Sequence, residues 1–221
     1  MLPLWDANPT RRAPVMTLAL ILANAAVFAY LVQLAAEGRA GPFIAAHALV
    51  PRRLFAGWDH AAPWLTVLTY QFLHAGPAHL LGNCWFLWVF GRGVEDRLGP
   101  PRFLLLYLLS GVAAAAVQVM VSGDSPLPMM GASGAISGVL GAYLVLFPRA
   151  WIYTLVPWIV PILPVPAFVF LALWFVAQAF HGFGALLGGA SGGVAWWAHV
   201  GGFLAGIGLL VFAPRTRAGR R

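Results

Sequence analysis

Long apolar segments separated by short polar, glycine-rich or proline-rich turns dominate the pattern of this 221-residue chain. An α-helix needs about 20 residues to cross roughly 30 Å of hydrocarbon, and six segments approach that length. The pattern therefore predicts an all-α polytopic membrane protein. Its six transmembrane helices are expected at Val15–Ala36, Ala78–Gly91, Phe103–Val121, Met130–Phe147, Val165–Phe180 and Val194–Phe212.

No polar linker divides the apolar segments, so a single transmembrane domain over residues 15–213 is expected. A short N-terminal segment, residues 1–14, precedes it, and a basic tail, residues 214–221, follows it. The long first connection is apolar, and we expect it to lie partly in the outer interface of the membrane, anchored by Trp58, Trp64 and Tyr70. The segment Trp151–Pro164 contains Pro157, Pro161 and Pro164, which favour an interfacial connection over a membrane-spanning helix.

Composition excludes a soluble domain, because 61% of the residues are hydrophobic and 9% are charged, against roughly a quarter charged in soluble proteins. All 13 basic residues are arginine, which with the abundant alanine and glycine is typical of GC-rich bacterial genomes. Ten of them flank the membrane on the side of the N-terminus. Both termini are therefore expected in the cytoplasm of a bacterial inner membrane. Membrane-flanking arginines account for the net charge of +7 without a nucleic-acid partner.

Polar side chains inside the spans are costly in lipid and are therefore candidates for function. Asn24 and Gln118 are interpreted as hydrogen-bonding to neighbouring helices. The other polar residues taken as candidates are His79, Asn83, Ser133, Ser137 and His199.

Depth along the helices brings several of these groups together. Ser133 and His199 each precede the arginine that ends their segment by 16 residues, and His79 precedes its own by 13. At 1.5 Å per residue these positions lie about 24 Å and about 20 Å above the inner arginines. Asn83 lies one turn deeper on the face of His79. A hydroxyl, two imidazoles and an amide are thus predicted at nearly one level below the outer surface.

A second serine between glycines, Ser191, fails this test. It precedes Arg215 by 24 residues, a separation of about 36 Å that exceeds the hydrocarbon thickness. Residues 181–193 are interpreted as a flexible glycine-rich loop over the site. Ser133 is therefore the candidate nucleophile.

Two GxxxG patterns lie beside the candidate residues and let helix backbones approach closely. The glycines are Gly134 and Gly138 in the fourth span and Gly202 and Gly206 in the sixth. Such patterns occur widely in ordinary helix packing. Here they explain how a hydroxyl and an imidazole on two helices come within hydrogen-bonding distance.

The helix carrying Ser133 is predicted to begin near that residue, after the turn-rich GDSPLP, so its first backbone N–H groups are free to stabilise an oxyanion. His79 and Asn83 supply further candidate donors. The hypothesis is that His199 takes the proton of Ser133, the alkoxide attacks a carbonyl, and His199 protonates the leaving amine. A neutral Ser/His pair avoids burying a fixed carboxylate in a low-dielectric site.

The combination of motifs resembles the rhomboid family of intramembrane serine proteases over roughly residues 64–214. The matching segments are GASG at Gly131–Gly134, HLLGN at His79–Asn83, AHVGGFLAG at Ala198–Gly206 and GRGVEDRLG at Gly91–Gly99. The resemblance implies a six-helix core that cleaves single-span or polytopic membrane proteins near the outer leaflet. It also implies a catalytic pair of Ser133 and His199, with His79, Asn83 and the Ser133 N–H in the oxyanion hole.

Two positions depart from the pattern of the family. Leu65 follows Trp64 where many members have Trp-Arg, and Ser137 stands where some members place an aromatic residue that packs on the histidine.

Three other interpretations remain open. A metal site could use His74, His79 and His199, but the chain lacks HExxH and a nearby carboxylate, so no metal or other cofactor is expected. A catalytically inactive rhomboid-like binder would not require both Ser133 and His199. A small transporter built from glycine-broken helices is disfavoured because the spans lack acidic residues and an inverted repeat.

Overall fold

The computed structural model describes residues 1–56, 61–123, 125–156, 160–188 and 194–212. Six long helices form the body of the protein. They are α1 (Val15–Ala36), α5 (Pro77–Leu98), α6 (Pro100–Ser122), α7 (Ser133–Leu146), α8 (Ala167–Gly188) and α9 (Trp196–Val211). The connection after α1 contains α2 (Ala40–His47), α3 (Pro51–Ala56), α4 (Ala61–Thr69) and a 3₁₀-helix (Tyr70–Phe72). The strands are β1 (Leu2–Asp6), β2 (Trp151–Val156) and β3 (Val160–Pro166).

Each predicted span corresponds to one long helix, and the predicted helical membrane fold is confirmed. Within the described residues, α1, α6 and α8 are long and apolar enough to cross a membrane alone, whereas α7 and α9 are shorter apolar helices. The predicted number of six spans is thus confirmed in part. Helix α5 extends seven residues beyond the predicted Gly91, through a charged segment that contains Glu95 and Asp96.

The charged end of α5 hydrogen-bonds to the start of α1 and to the chain before it. Glu95 is buried, and its carboxylate accepts hydrogen bonds from the backbone N–H groups of Met16 and Thr17, both at 2.8 Å, and from the Thr17 hydroxyl at 2.7 Å. These are free amides at the start of α1, where a negative charge also complements the helix dipole. Asp96 accepts from the backbone N–H groups of Arg11 and Arg12.

Helix α7 lies at the centre of the bundle, with every residue from Gly134 to Tyr143 buried. It packs on α9 so closely that a Cβ atom at Gly202 would stand 2.0 Å from the Gly134 carbonyl oxygen, and one at Gly206 would stand 1.9 Å from that of Gly138. Only glycine fits at such contacts. The backbones of the two helices therefore touch at the level where each carries its candidate residue.

Two connections differ from their predictions. Residues 181–188 continue α8 as helix and are not a loop, since their glycines alternate with alanine, leucine and phenylalanine, which sustain helical packing. The rest of the predicted loop, including Ser191, lies outside the described residues, as do Trp58 and the tail 214–221. The predicted interfacial connection Trp151–Pro164 forms a β-hairpin, and β1 pairs with it antiparallel in a three-stranded sheet of order β1-β2-β3.

Candidate active site

The site is centred on the first residue of α7 and the first turn of α9. The Ser133 hydroxyl lies 2.8 Å from Nε2 of His199. The glycine contacts between the helices fix this separation, because they hold the two backbones together directly below the pair. The two candidate residues are thus in direct hydrogen-bonding contact.

Gln178 of α8 determines which nitrogen of His199 carries the proton. Its Oε1 lies 2.7 Å from Nδ1 of His199, and the side chain is buried. Since a carbonyl oxygen only accepts, Nδ1–H donates to Gln178 and the lone pair of Nε2 is free to accept the Ser133 proton. This is the tautomer that a general base requires. Gln178 was missed in the sequence, where its one signal was an amide inside the fifth span.

Aromatic rings surround the His199 imidazole on two sides. The Trp174 ring of α8 lies 6.1 Å from it, between centroids, at 37°, and the Trp196 ring of α9 lies 6.1 Å away at 90°. Ser137, the position where some relatives place an aromatic, instead donates to the Ser133 carbonyl oxygen at 2.6 Å. The rings packed on the histidine therefore come from α8 and α9.

A group of donors lies on the other side of Ser133. Gly131 has a φ of +137°, and a Cβ there would be 2.8 Å from Cε1 of His79 and 3.6 Å from the Ser133 hydroxyl oxygen. The Ala75 N–H donates to Nδ1 of His79 at 3.5 Å, so Nε2 of that ring carries its proton. Nδ2 of Asn83 is buried and has no hydrogen-bond partner among the described residues. Both side chains line the same cavity as the Ser133 hydroxyl.

The loop before α7 is held by the buried Tyr70. Its carbonyl oxygen accepts from the Gly131 N–H at 3.0 Å, and its hydroxyl donates to the Gly111 carbonyl oxygen at 2.7 Å. These bonds tie the chain before Ser133 to α6, and they position the left-handed Gly131 against His79. At the start of α9, Gln118 accepts from the Ala198 N–H at 3.1 Å and so satisfies a free amide of its first turn.

These groups open into one cavity of about 1000 Å³. Helix α5 lines it on one side and α8 on the other, and its wall includes His79, Asn83, Ser133, Gln178 and His199. The cavity is large enough for several residues of an extended peptide.

His74, His79 and His199 were considered as ligands of a metal ion. His74 lies in the loop before α5, fully buried, with its ring 5.2 Å from that of His79. Burial, and to a smaller extent the neighbouring His79, lowers the pKa of His74 to about 4, so that its imidazole is neutral at physiological pH. Within the described ranges, no three His, Cys, Asp or Glu side chains are arranged to hold a metal ion.

Fold and site together define a multi-pass membrane protein with a Ser–His–Gln hydrogen-bonded chain beside a cavity. The Rhomboid domain family matches residues 61–215, and the chain belongs to the rhomboid family. Helix α5 carries the matching HLLGN segment and Glu95, and α7 and α9 carry the other motifs.

Curated relatives agree with this family. The chain is 46% identical over 81 residues to Rhomboid protease GluP of Bacillus subtilis (strain 168), covering 37% of this chain and 15% of the relative. It is 31% identical over 153 residues to Rhomboid protein 1, mitochondrial, of Saccharomyces cerevisiae, covering 67% and 42%. Rhomboid-like protein 11, chloroplastic, of Arabidopsis thaliana is 35% identical over 146 residues, covering 65% and 50%. The matches thus span half or less of these relatives.

Proposed function

We propose that the protein is an intramembrane serine endopeptidase that cleaves transmembrane segments of membrane proteins near the outer leaflet. The observation that carries the proposal is the chain of hydrogen bonds from Ser133 through His199 to Gln178 at the wall of the cavity. A nucleophile, a base and a group that orients the base are the parts that acyl transfer requires.

In the proposed reaction, Nε2 of His199 removes the Ser133 proton while Oγ attacks the carbonyl carbon of the scissile bond. The resulting oxyanion accepts hydrogen bonds from Nδ2 of Asn83, Nε2 of His79 and the Ser133 N–H. His199 then passes its proton to the leaving amine as the C–N bond breaks. Water attacks the acyl-enzyme with His199 again as base, which releases the acid and restores Ser133. No cofactor takes part in these steps.

The substrates are single-span or polytopic membrane proteins whose helix unwinds at the cleavage site, because a carbonyl inside a regular helix is not free for attack. We also propose that the protein resides in a bacterial inner membrane with both termini on its cytoplasmic side. Pairing of β1 with β2 supports the placement of the N-terminus, since it brings residues 2–6 beside the connection between α7 and α8. In the proposed topology this connection lies on the cytoplasmic side.

Reconstitution tests the proposed activity. The protein is incorporated into liposomes with a single-span substrate that carries a tag on each side, and fragments are followed with time. A fluorophosphonate probe, which reacts with activated serines, is applied to a parallel sample. We expect cleavage within the span and labelling at Ser133. Binding of the substrate without labelling or cleavage would favour the inactive rhomboid-like binder, and solute flux without cleavage would favour a transporter.

Asn83→Ala tests the oxyanion hole. Removing one such donor costs roughly 10²-fold in kcat in serine proteases, and a similar loss is expected here with KM little changed. Asn83 is suited to this role because its Nδ2 is buried and has no other partner in the described structure. Gly82→Ala is the matched control, since a Cβ there meets nothing within 4 Å. Equal kcat in Asn83→Ala and wild type would remove Asn83 from the oxyanion hole.

Gln178→Leu tests the orientation of His199. Loss of the acceptor lets the imidazole exchange tautomers and turn, so kcat is expected to fall roughly 10- to 100-fold, a fraction of what a general base contributes, with KM nearly unchanged. Gln178→Glu keeps an acceptor oxygen and is expected to restore Nδ1 protonation. The ¹⁵N NMR signal of His199 reports the tautomer directly. An unchanged tautomer in Gln178→Leu would show that another group holds the ring.

A further inference from the structure

The three-stranded sheet does not lie flat beneath the helices but rises along α5. The Trp85 indole donates to the Pro3 carbonyl oxygen at 2.5 Å, and Arg92 pairs with Asp6 at 3.4 Å. Trp85 and Arg92 are seven residues apart, about 10 Å along the helix axis. Residues 3–6 therefore run alongside the inner half of the predicted second span and its end, and Pro3 reaches a level about 9 Å below His79.

The β2–β3 hairpin rises with β1 because the strands are in register. Asp6 pairs with Ile152 near the base of the hairpin, and Leu2 pairs with Leu155 near its upper end. The inner face of the sheet is part of the bundle core, where Ile152 and Val165 are buried in one cluster with Phe90 of α5 and Phe170 of α8. The sheet is thus packed against the membrane-spanning part of the helices.

The opposite face of the sheet is apolar and exposed. Leu2, Trp5 and Trp151 are between 43 and 50% exposed, and the Trp5 ring stacks on that of Tyr153 at 4.9 Å between centroids. Exposed apolar side chains continue this surface on both sides, at Trp88 of α5 and at Phe168 and Leu173 of α8. A continuous apolar face of this kind is unusual against water and ordinary against hydrocarbon.

The free edge of the sheet, formed by β3, is also compatible with hydrocarbon. An edge strand normally presents unpaired N–H groups, which cost several kcal/mol each in lipid. In β3, Pro164 pairs with Tyr153 and Pro166 with Trp151. Proline cannot donate to a ladder, so these alternate positions belong to the outer edge, which thereby lacks two of its donors. Prolines also prevent another strand from adding there.

We propose that the β1-β2-β3 sheet is embedded in the inner-leaflet half of the bilayer, where its outer face contacts lipid acyl chains. β1 packs on α5, and β2 and β3 pack on the start of α8, so the sheet fills the space between the inner parts of the two helices that frame the cavity. This inference does not depend on catalysis.

Spin labelling in liposomes tests the environment of the outer face. A nitroxide is attached at Leu2→Cys, in a Cys84→Ala background that removes the one native cysteine. Oxygen concentrates in hydrocarbon and a polar nickel chelate is excluded from it, so their relative collision rates report depth. Val176→Cys on the exposed face of α8 is the lipid reference, and Arg12→Cys is the water reference.

We expect the oxygen-to-chelate ratio at residue 2 to match that at Val176→Cys and to exceed that at Arg12→Cys by roughly an order of magnitude. A label at Trp151→Cys, on the outer face of the neighbouring strand β2, provides a second site if Leu2→Cys does not fold. A ratio at the folded variant equal to the water reference overturns the proposal. A protein that shows no proteolysis but keeps the lipid-like ratio would disprove the proposed function alone.

Discussion

Ser133→Ala is expected to lower the rate of substrate cleavage in liposomes by at least roughly 10³-fold, because no other group replaces the attacking oxygen. The substitution removes one atom at the start of α7 and leaves its glycine contacts intact, so the protein should fold normally. Cleavage rates and fluorophosphonate labelling of the same preparation are the measurements. Both signals are expected to disappear together.

Ser137→Ala is the matched control for this variant. Ser137 also lines the cavity, one turn further along the same helix, but its hydroxyl donates to the Ser133 carbonyl oxygen and does not contact His199. Its removal is expected to change the rate by no more than a few fold. Ser191→Ala is likewise expected to stay active, from its predicted depth in the sequence. Cleavage that survives in Ser133→Ala and is lost in Ser191→Ala would reverse the assignment.

The depth of the candidate residues in the membrane could be predicted from the sequence. The rise of a helix is fixed at 1.5 Å per residue, so the distance of Ser133 and His199 from the arginines that follow them predicts a common level. The glycine patterns then predict which helices approach each other. In the structure, the hydroxyl and the imidazole lie at one level and 2.8 Å apart.

Rotation of a helix about its own axis could not be predicted in the same way. Gln178 contacts His199 only because α8 turns that face toward α9, and Trp174, one turn earlier on the same face, packs on the same ring. Helix α8 is apolar on all sides, so no amphipathic pattern indicates which residues face inward. Gln178 was overlooked for this reason, although an amide inside a span is itself unusual.

The sheet was missed because its pairing is non-local. Leu2–Asp6 pairs with a segment about 150 residues later, and neither segment alternates between polar and apolar residues. Apolar residues on both faces are typical of a strand that is covered on one face by protein and on the other by an apolar medium. Pro164 was interpreted only as a break, whereas it stands with Pro166 at the free edge of β3.

Gly202→Val is expected to have the largest effect on stability. A Cβ at this position would lie 2.0 Å from the Gly134 carbonyl oxygen and 3.3 Å from Cβ of Ser137, so α9 must move away from α7. Overpacking of a tight core lowers the free energy of unfolding by about 1–3 kcal/mol, and a clash with the backbone is expected to cost the upper end of that range or more. The same movement separates the Ser133 hydroxyl from Nε2 of His199, and a misplacement of about 1 Å costs roughly 10²-fold in rate.

Gly208→Val is the control that separates the clash between α9 and α7 from the general effect of replacing a helical glycine with valine. Gly208 lies in the same helix, and a Cβ there meets nothing within 4 Å, so valine is expected to leave the free energy of unfolding within about 1 kcal/mol of wild type. Thermal unfolding in detergent and the rate of fluorophosphonate labelling compare the two variants. If Gly202→Val labelled as fast as Gly208→Val, the contact between α7 and α9 would not be what brings Ser133 to His199. The pair would then have to be positioned by α8, through Gln178 and Trp174.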